Sequence, residues 1–199
     1  MSKITDCLID KKKDCLPIWF MRQAGRYLPE FRKIRAKNKN FVKLCLNSEL
    51  SSEITLQPIK RFDLDAAIIF SDILIVPHVL GQEVKFIKDK GPILSNIILD
   101  KFLNTEEEKL KKNLQPVYKA INITRKKLKK EKSLIAFVGA PWTLIVYMLG
   151  MKIEKDVLNL NLFKKKQREI NLLLKKLTDF LCIHIKNQID AGADVVQIF

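Results

Sequence analysis

Arginine is scarce in a chain that is otherwise strongly basic. Only seven of the 37 basic residues are Arg, the rest are Lys, and 22 acidic residues leave a formal charge of +15. That charge raises nucleic acid or an anionic membrane as partners. The lysines come in runs at 11–13, 126–132 and 164–166, on helix-like segments, with no aromatic residues interleaved to stack bases. Such runs read as solvated faces in a Lys-, Ile- and Asn-rich composition, so no nucleic-acid partner is expected. Cysteine is also sparse and scattered. Cys7, Cys15, Cys45 and Cys182 form no CxxC and do not cluster with the two histidines, His78 and His184. This disfavours zinc and a disulfide framework, and points to reduced thiols in a cytoplasmic protein. The opening MSKITDCLIDKKKD has no continuous apolar run of the kind a secretory leader needs. One uncharged stretch, SLIAFVGAPWTLIVYMLGM (133–151), is long enough to suggest a membrane span, but Gly139-Ala-Pro141 breaks it and LIAFV fits a buried strand better. No membrane partner is expected. No Gly-rich phosphate fingerprint follows any strand, which disfavours a nucleotide-binding sheet.

What remains is 199 residues, 47% hydrophobic and 30% charged, enough for one globular domain with a substantial core. Short solid apolar runs alternate with longer stretches of helical period. PIWFM (17–21), AAIIF (66–70), LIAFV (134–138) and DVVQIF (194–199) read as strands buried on both faces. Helices are predicted at about 30–37, 48–61 with Asn47 or Ser48 as cap, 105–131 and 163–190, the last stopping before Gly192. A hairpin is predicted over 83–93, turning at Lys90-Gly91. This alternation means parallel β/α units, either a barrel or a doubly wound sheet.

Parallel α/β folds build their sites just beyond strand ends, and three polar stretches fall there. In Arg22-Gln-Ala-Gly-Arg26-Tyr27, Gly25 and Pro29 oppose a helix, so the two guanidiniums sit on a loop and can fork onto carboxylates. Pairing with core carboxylates is the structural alternative. Asp72 ends AAIIF and precedes ILIVP; a carboxylate so surrounded needs dedicated donors, or caps a following helix. In Gly139-Ala-Pro-Trp-Thr143, backbone N–H groups can bind an anion, and a helix starting near Thr143 turns Tyr147 toward the same end. Trp142 as plain core is the alternative there, and both histidines read as packing or surface residues.

RQAGRYLPEFR, IIFSDILIVP and GAPWTLIVYM, in this order, closely resemble the uroporphyrinogen decarboxylases, with likeness from about residue 17 to the last. The resemblance implies a (β/α)8 TIM barrel, of which residues 1–199 form the N-terminal part of a single domain, about four β/α units, ending at about strand 4. It implies a carboxy-lyase that removes carbon dioxide from the four acetate side chains of uroporphyrinogen III, giving coproporphyrinogen III, without cofactor or metal. Arg22 and Arg26 match arginines that bind substrate carboxylates, and Arg22 is the preferred proton donor. Asp72 matches the aspartate under the macrocycle. Tyr147 matches a tyrosine near a substrate carboxylate, Phe31, Ile68 and Phe70 match apolar pocket residues, and Gly139 matches a backbone donor. A homodimer is implied for the full-length form. The chain departs from the family in carrying His78 where Gln is common, and in lacking a serine after strand 4 and a C-terminal histidine; it looks truncated and is expected to be inactive alone. The alternatives are a non-catalytic fragment and a methyltransferase relative of the same fold.

Overall fold

The computed structural model describes residues 2–10, 16–87, 91–151 and 160–199, apart from the side chains of residues 160 and 162. Cys15, the lysine run at 11–13 and Lys90 of the expected turn lie outside the described residues. In chain order the elements are α1 (Lys3–Ile9), α2 (Pro29–Lys37), α3 (Phe41–Cys45), α4 (Ser48–Arg61), β1 (Ala66–Ile68), α5 (Ile75–Val79), β2 (Val84–Ile87), β3 (Gly91–Leu94), α6 (Leu99–Leu103), α7 (Glu107–Lys127), β4 (Ser133–Val138), α8 (Pro141–Met148), α9 (Leu160–Lys165), α10 (Gln167–Asp190) and β5 (Val195–Ile198). They fall into two compact units. The first holds Met1–Asp72, Gln115–Phe137 and Ile185–Gln197; the second holds Ile73–Leu114, Val138–His184 and Ile198–Phe199.

The first unit is organised by a parallel sheet of order β1-β4-β5, with Ala66 opposite Ser133 and Ile68 opposite Ile135. Apolar side chains at every position of β1 are buried, as a strand covered on both faces requires. Ile4 of α1 packs with Ala66, Ile68 and Ile135, and Trp19, Phe137 and Val195 close around them. A second cluster, Leu28, Phe31, Leu44 and Ile54, joins α2, α3 and α4. Polar side chains set the helix starts. Asn40 accepts from the Lys43 N–H at 2.9 Å and Asn47 from the Leu50 N–H at 3.0 Å, satisfying N–H groups that have no partner within the helix. Arg61, at the end of α4, grips Glu30 in the first turn of α2 through two hydrogen bonds of 2.6 and 2.9 Å. Those bonds hold the Glu30 carboxyl down at about 2.

In the second unit β2 and β3 form an antiparallel hairpin, with Val84 opposite Leu94 and Ile87 opposite Gly91. Gly91 has φ +77°, a conformation that glycine adopts without steric cost. The Gln82 side chain donates to the carbonyls of Ser95 (2.8 Å) and Met148 (3.0 Å), tying the hairpin to the end of α8. Phe102 and Phe180, both buried, meet edge to face at 6.1 Å between α6 and α10.

Several expectations are corrected. PIWFM forms no strand. Ile18 exchanges bonds with Asp65, its carbonyl accepting from the Asp65 N–H and its own N–H donating to the Asp65 carboxylate, both at 2.8 Å. A side chain standing in for a backbone acceptor ends the ladder there. Trp19 points inward while Leu16, Ile18, Phe20 and Met21 are exposed, so the run is covered on one face only. DVVQIF pairs as expected but is half-buried, because β5 is terminal in the sheet. AAIIF gives a strand of three residues. The Phe70 N–H donates to the Thr55 hydroxyl (2.8 Å) and its carbonyl accepts from the Ser51 hydroxyl (2.6 Å), so side chains of α4 replace the next rung. The helix expected at 163–190 is two, α9 and α10, parted at Lys166. The helix expected to open near Thr143 starts two residues earlier, with Pro141 in its first turn, where a missing N–H costs nothing.

Candidate active site

The arginine-bearing segment is a loop of turns from residue 21 to 28, closed by a Leu28 N–H to Gly25 carbonyl bond of 3.0 Å, and α2 begins at Pro29. Arg22 and Arg26 are both exposed, while Gln23 between them is only 3% exposed. Arg32, one turn into α2, donates to the Arg26 carbonyl at 2.8 Å. The Tyr27 hydroxyl reaches back to the Gln23 carbonyl. A Cβ added at Gly25 would meet only the Tyr27 ring, at 3.4 and 3.5 Å, so nothing but that ring crowds the backbone there.

Ile68, Phe70 and Asp72 follow one another along and beyond β1. Ile68 is buried in the sheet cluster and Phe31 in the helical one. Phe70 links the rings, meeting Phe31 edge-on at 5.8 Å and Phe41 at 5.7 Å. Asp72 is half-buried. The helix after it, α5, has Leu74 at its N-cap. The surroundings of Asp72 show in the Cys45 thiol. Burial pushes that thiol up, the Asp72 charge pushes it further, and the Arg35 guanidinium pulls it back. Arg35 thus shares the neighbourhood of Asp72, both acting on Cys45, although nothing in the sequence singles it out. It lies four residues after Phe31, on the same face of α2. Its guanidinium is 5.6 Å from the centroid of the Phe41 ring, and it also donates to the Asn38 carbonyl.

Gly139 and Tyr147 belong to the second unit. Gly139 is buried, and a Cβ there would lie 2.6 Å from Leu144 Cδ2 and 3.2 Å from Ile73 Cβ, so packing alone demands glycine. The following N–H, of Ala140, donates to the Phe199 carbonyl at 2.6 Å, and the Thr143 hydroxyl donates to the same oxygen at 3.0 Å. Tyr147 is half-buried on α8. Trp142 is 40% exposed and meets Phe163 edge to face at 5.7 Å, so it is not plain core. His184 is buried at 4% exposure, and burial drives it down to about 3, which keeps it neutral. Among the described residues, no group of three or more His, Cys, Asp or Glu is placed to hold a metal ion. No helix of the described residues is long and apolar enough to cross a membrane.

Curated uroporphyrinogen decarboxylases of Brucella anthropi and Brucella ovis are each 46% identical to this chain over 184 residues, 92% of it and 54% of their own length. The chain therefore spans about half the length of the curated relatives it matches. A solved methyltransferase from Methanosarcina mazei superposes on 98% of this chain, and on 57% of its own, with a TM-score of 0.75. Its sequence identity is 18%, a likeness of fold alone. The family model described as uroporphyrinogen decarboxylase (URO-D) matches residues 1–199, so the chain belongs to the uroporphyrinogen decarboxylase family of (β/α)8 barrels.

Proposed function

We propose that this chain supplies the N-terminal part of the active site of a uroporphyrinogen decarboxylase, residues 1–199 being part of a single barrel domain that runs to about its fourth strand. The observation that carries it is local to the first unit: two exposed arginines on a short, hydrogen-bonded loop, beside a strand that leads to a half-buried aspartate among aromatic rings. A substrate with many carboxylates and a ring of pyrrole N–H groups matches that set. Guanidinium forks take the carboxylates, and a carboxylate takes the N–H groups, since an ionised Asp accepts only.

The chemistry follows from the charges. Protonation of a pyrrole carbon makes the ring cationic and able to accept an electron pair. The bond from the acetate methylene to its carboxylate then breaks, carbon dioxide leaves, its electrons neutralise the ring as an exocyclic methylene, a proton completes the methyl group, and the proton first added to the ring carbon leaves to restore the pyrrole. The Asp72 charge stabilises the cation, doing for the ring what an oxyanion hole does for the opposite sign. Arg22 and Arg26 hold the carboxylates, and Arg22 is also the preferred proton donor. Phe31, Ile68 and Phe70 provide the apolar wall, Tyr147 and the Gly139 backbone contact the substrate periphery, and the enzyme works as a cytoplasmic homodimer. The family match and the identity to curated decarboxylases support this assignment.

Asp72→Asn is the test. Co-expressed with the part of the Brucella anthropi relative that lies beyond the match, the chain should form coproporphyrinogen, and the variant should do so at least about 10²-fold more slowly, the order contributed by one preorganised electrostatic group. Turnover by the Asn variant within a few-fold of the parent would sink the electrostatic role. A folded parent pairing with no turnover would favour the non-catalytic alternative.

A further inference from the structure

We propose that Gln23 is the positioning residue of the arginine loop, its side-chain amide acting as a surrogate strand on the free edge of β1. The proposal rests on the functional assignment of Arg22, Arg26 and Asp72 given above. Gln23 Nε2 donates to the Ala66 carbonyl at 2.8 Å, and Gln23 Oε1 accepts from the Ile68 N–H at 3.2 Å. In a parallel ladder one residue of the neighbouring strand bonds to the carbonyl and N–H groups two residues apart on its partner. The carbonyl of residue 66 and the N–H of residue 68 are such a pair, and a carboxamide offers the same donor and acceptor as a peptide group. β4 occupies the other edge of β1, so Gln23 completes the strand where a backbone neighbour would otherwise be needed.

The consequence is geometric. Gln23 is buried, and its neighbours in the chain, Arg22 and Arg26, are exposed on either side. Its backbone carbonyl accepts from Tyr27, which folds the loop back on itself. The strand it clamps carries Ile68, and the chain beyond it leads to Asp72. One amide therefore fixes the arginines that take the carboxylates relative to the strand that delivers the carboxylate for the ring. Without the clamp both arginines keep their charge but lose their bearing. A misplacement of about 1 Å can cost on the order of 10²-fold in rate.

The residue type is specific. Gln23→Met keeps length and burial but loses both bonds. Gln23→Glu keeps shape but, when ionised, turns its donor into a second acceptor facing the Ala66 carbonyl. When protonated, the Glu carboxyl has one O–H donor and one acceptor and restores the pattern. In the co-expressed enzyme, both variants should lower kcat/KM for uroporphyrinogen by about tenfold to 10²-fold near neutral pH, with a raised KM. The Glu variant alone should recover relative to the parent as pH falls below the pKa of its buried carboxyl. A residue serving only as filling would show no such recovery and would be replaced well by Met. Hydrogen exchange on the 199-residue chain reads the clamp without activity: the Ile68 amide and loop 22–28 should exchange at least about tenfold faster in Gln23→Met. Parent-like kcat/KM in both variants, or a Glu variant with no acid recovery, overturns the proposal while leaving the decarboxylase assignment intact. An inactive parent defeats that assignment, and the exchange rates then decide the clamp alone, with unchanged rates overturning it.

Discussion

Arg22→Lys separates geometry from charge at a single residue. Lysine keeps the positive charge but presents a point donor in place of a planar fork, so binding of a carboxylate-rich substrate should weaken on the order of tenfold, read as a higher KM. Neutralising Lys164, Lys165 and Lys166, which are all exposed, should leave KM and turnover nearly unchanged. Damage from the lysine changes and none from Arg22→Lys would mean that the bulk positive charge, not the loop, attracts the substrate. At this scale the sequence exposes types but not surroundings. Arg22, Arg26 and Asp72 were legible because charged groups beside apolar runs demand a reason. Gln23 was not, because its partners lie 43 and 45 residues away and exist only once β1 is in place. Arg35 was hidden for the opposite reason: on an exposed-looking helix of mixed charge, nothing in the helix itself shows that this arginine shares a neighbourhood with Asp72.

Elements were legible where local chemistry decides them. Asn47 caps α4, and Gly192, at φ +112°, lets the chain leave α10 and enter β5. Elements failed where tertiary bonds decide. The apolar content of PIWFM signals burial, yet its pairing ends at the Asp65 side chain, and β1 stops at Ile68 because Ser51 and Thr55 take the bonds of Phe70. The junction between β4 and α8 yields a prediction of its own. In Gly139→Ala the new methyl would sit 2.6 and 2.9 Å from Cδ2 and Cγ of Leu144, which is fully buried and has little room to turn aside. The substitution should cost about 1–3 kcal/mol, the usual penalty for overpacking, measured as a lower urea midpoint with unchanged slope. Wild-type stability in that variant would show that the tight approach of Gly139 and Leu144 is readily relieved.

At the scale of the whole molecule two forces oppose each other. A charge of +15 repels other copies, while exposed apolar side chains attract them, and salt tells which governs because it screens only the first. The apolar side is concentrated in the first unit, on the extended segment beside β1, where Leu16 is 84%, Ile18 50%, Phe20 59% and Met21 53% exposed. Exposed apolar side chains grouped on a segment beside a sheet edge make a site of association. The 199-residue chain should therefore run as a concentration-dependent oligomer in sedimentation velocity, and raising sodium chloride from about 0.05 to 0.5 M should increase association as the Debye length contracts from above 10 Å to below it. Ile18→Ser combined with Phe20→Ser should shift the distribution toward monomer at every salt concentration, because it removes the attraction and leaves the repulsion. Association that falls with salt would instead assign the contact to charged groups such as the lysine runs. A parent chain that stays monomeric throughout would show that the apolar segment is too small, or too divided by its alternation, to hold two copies together against their charge.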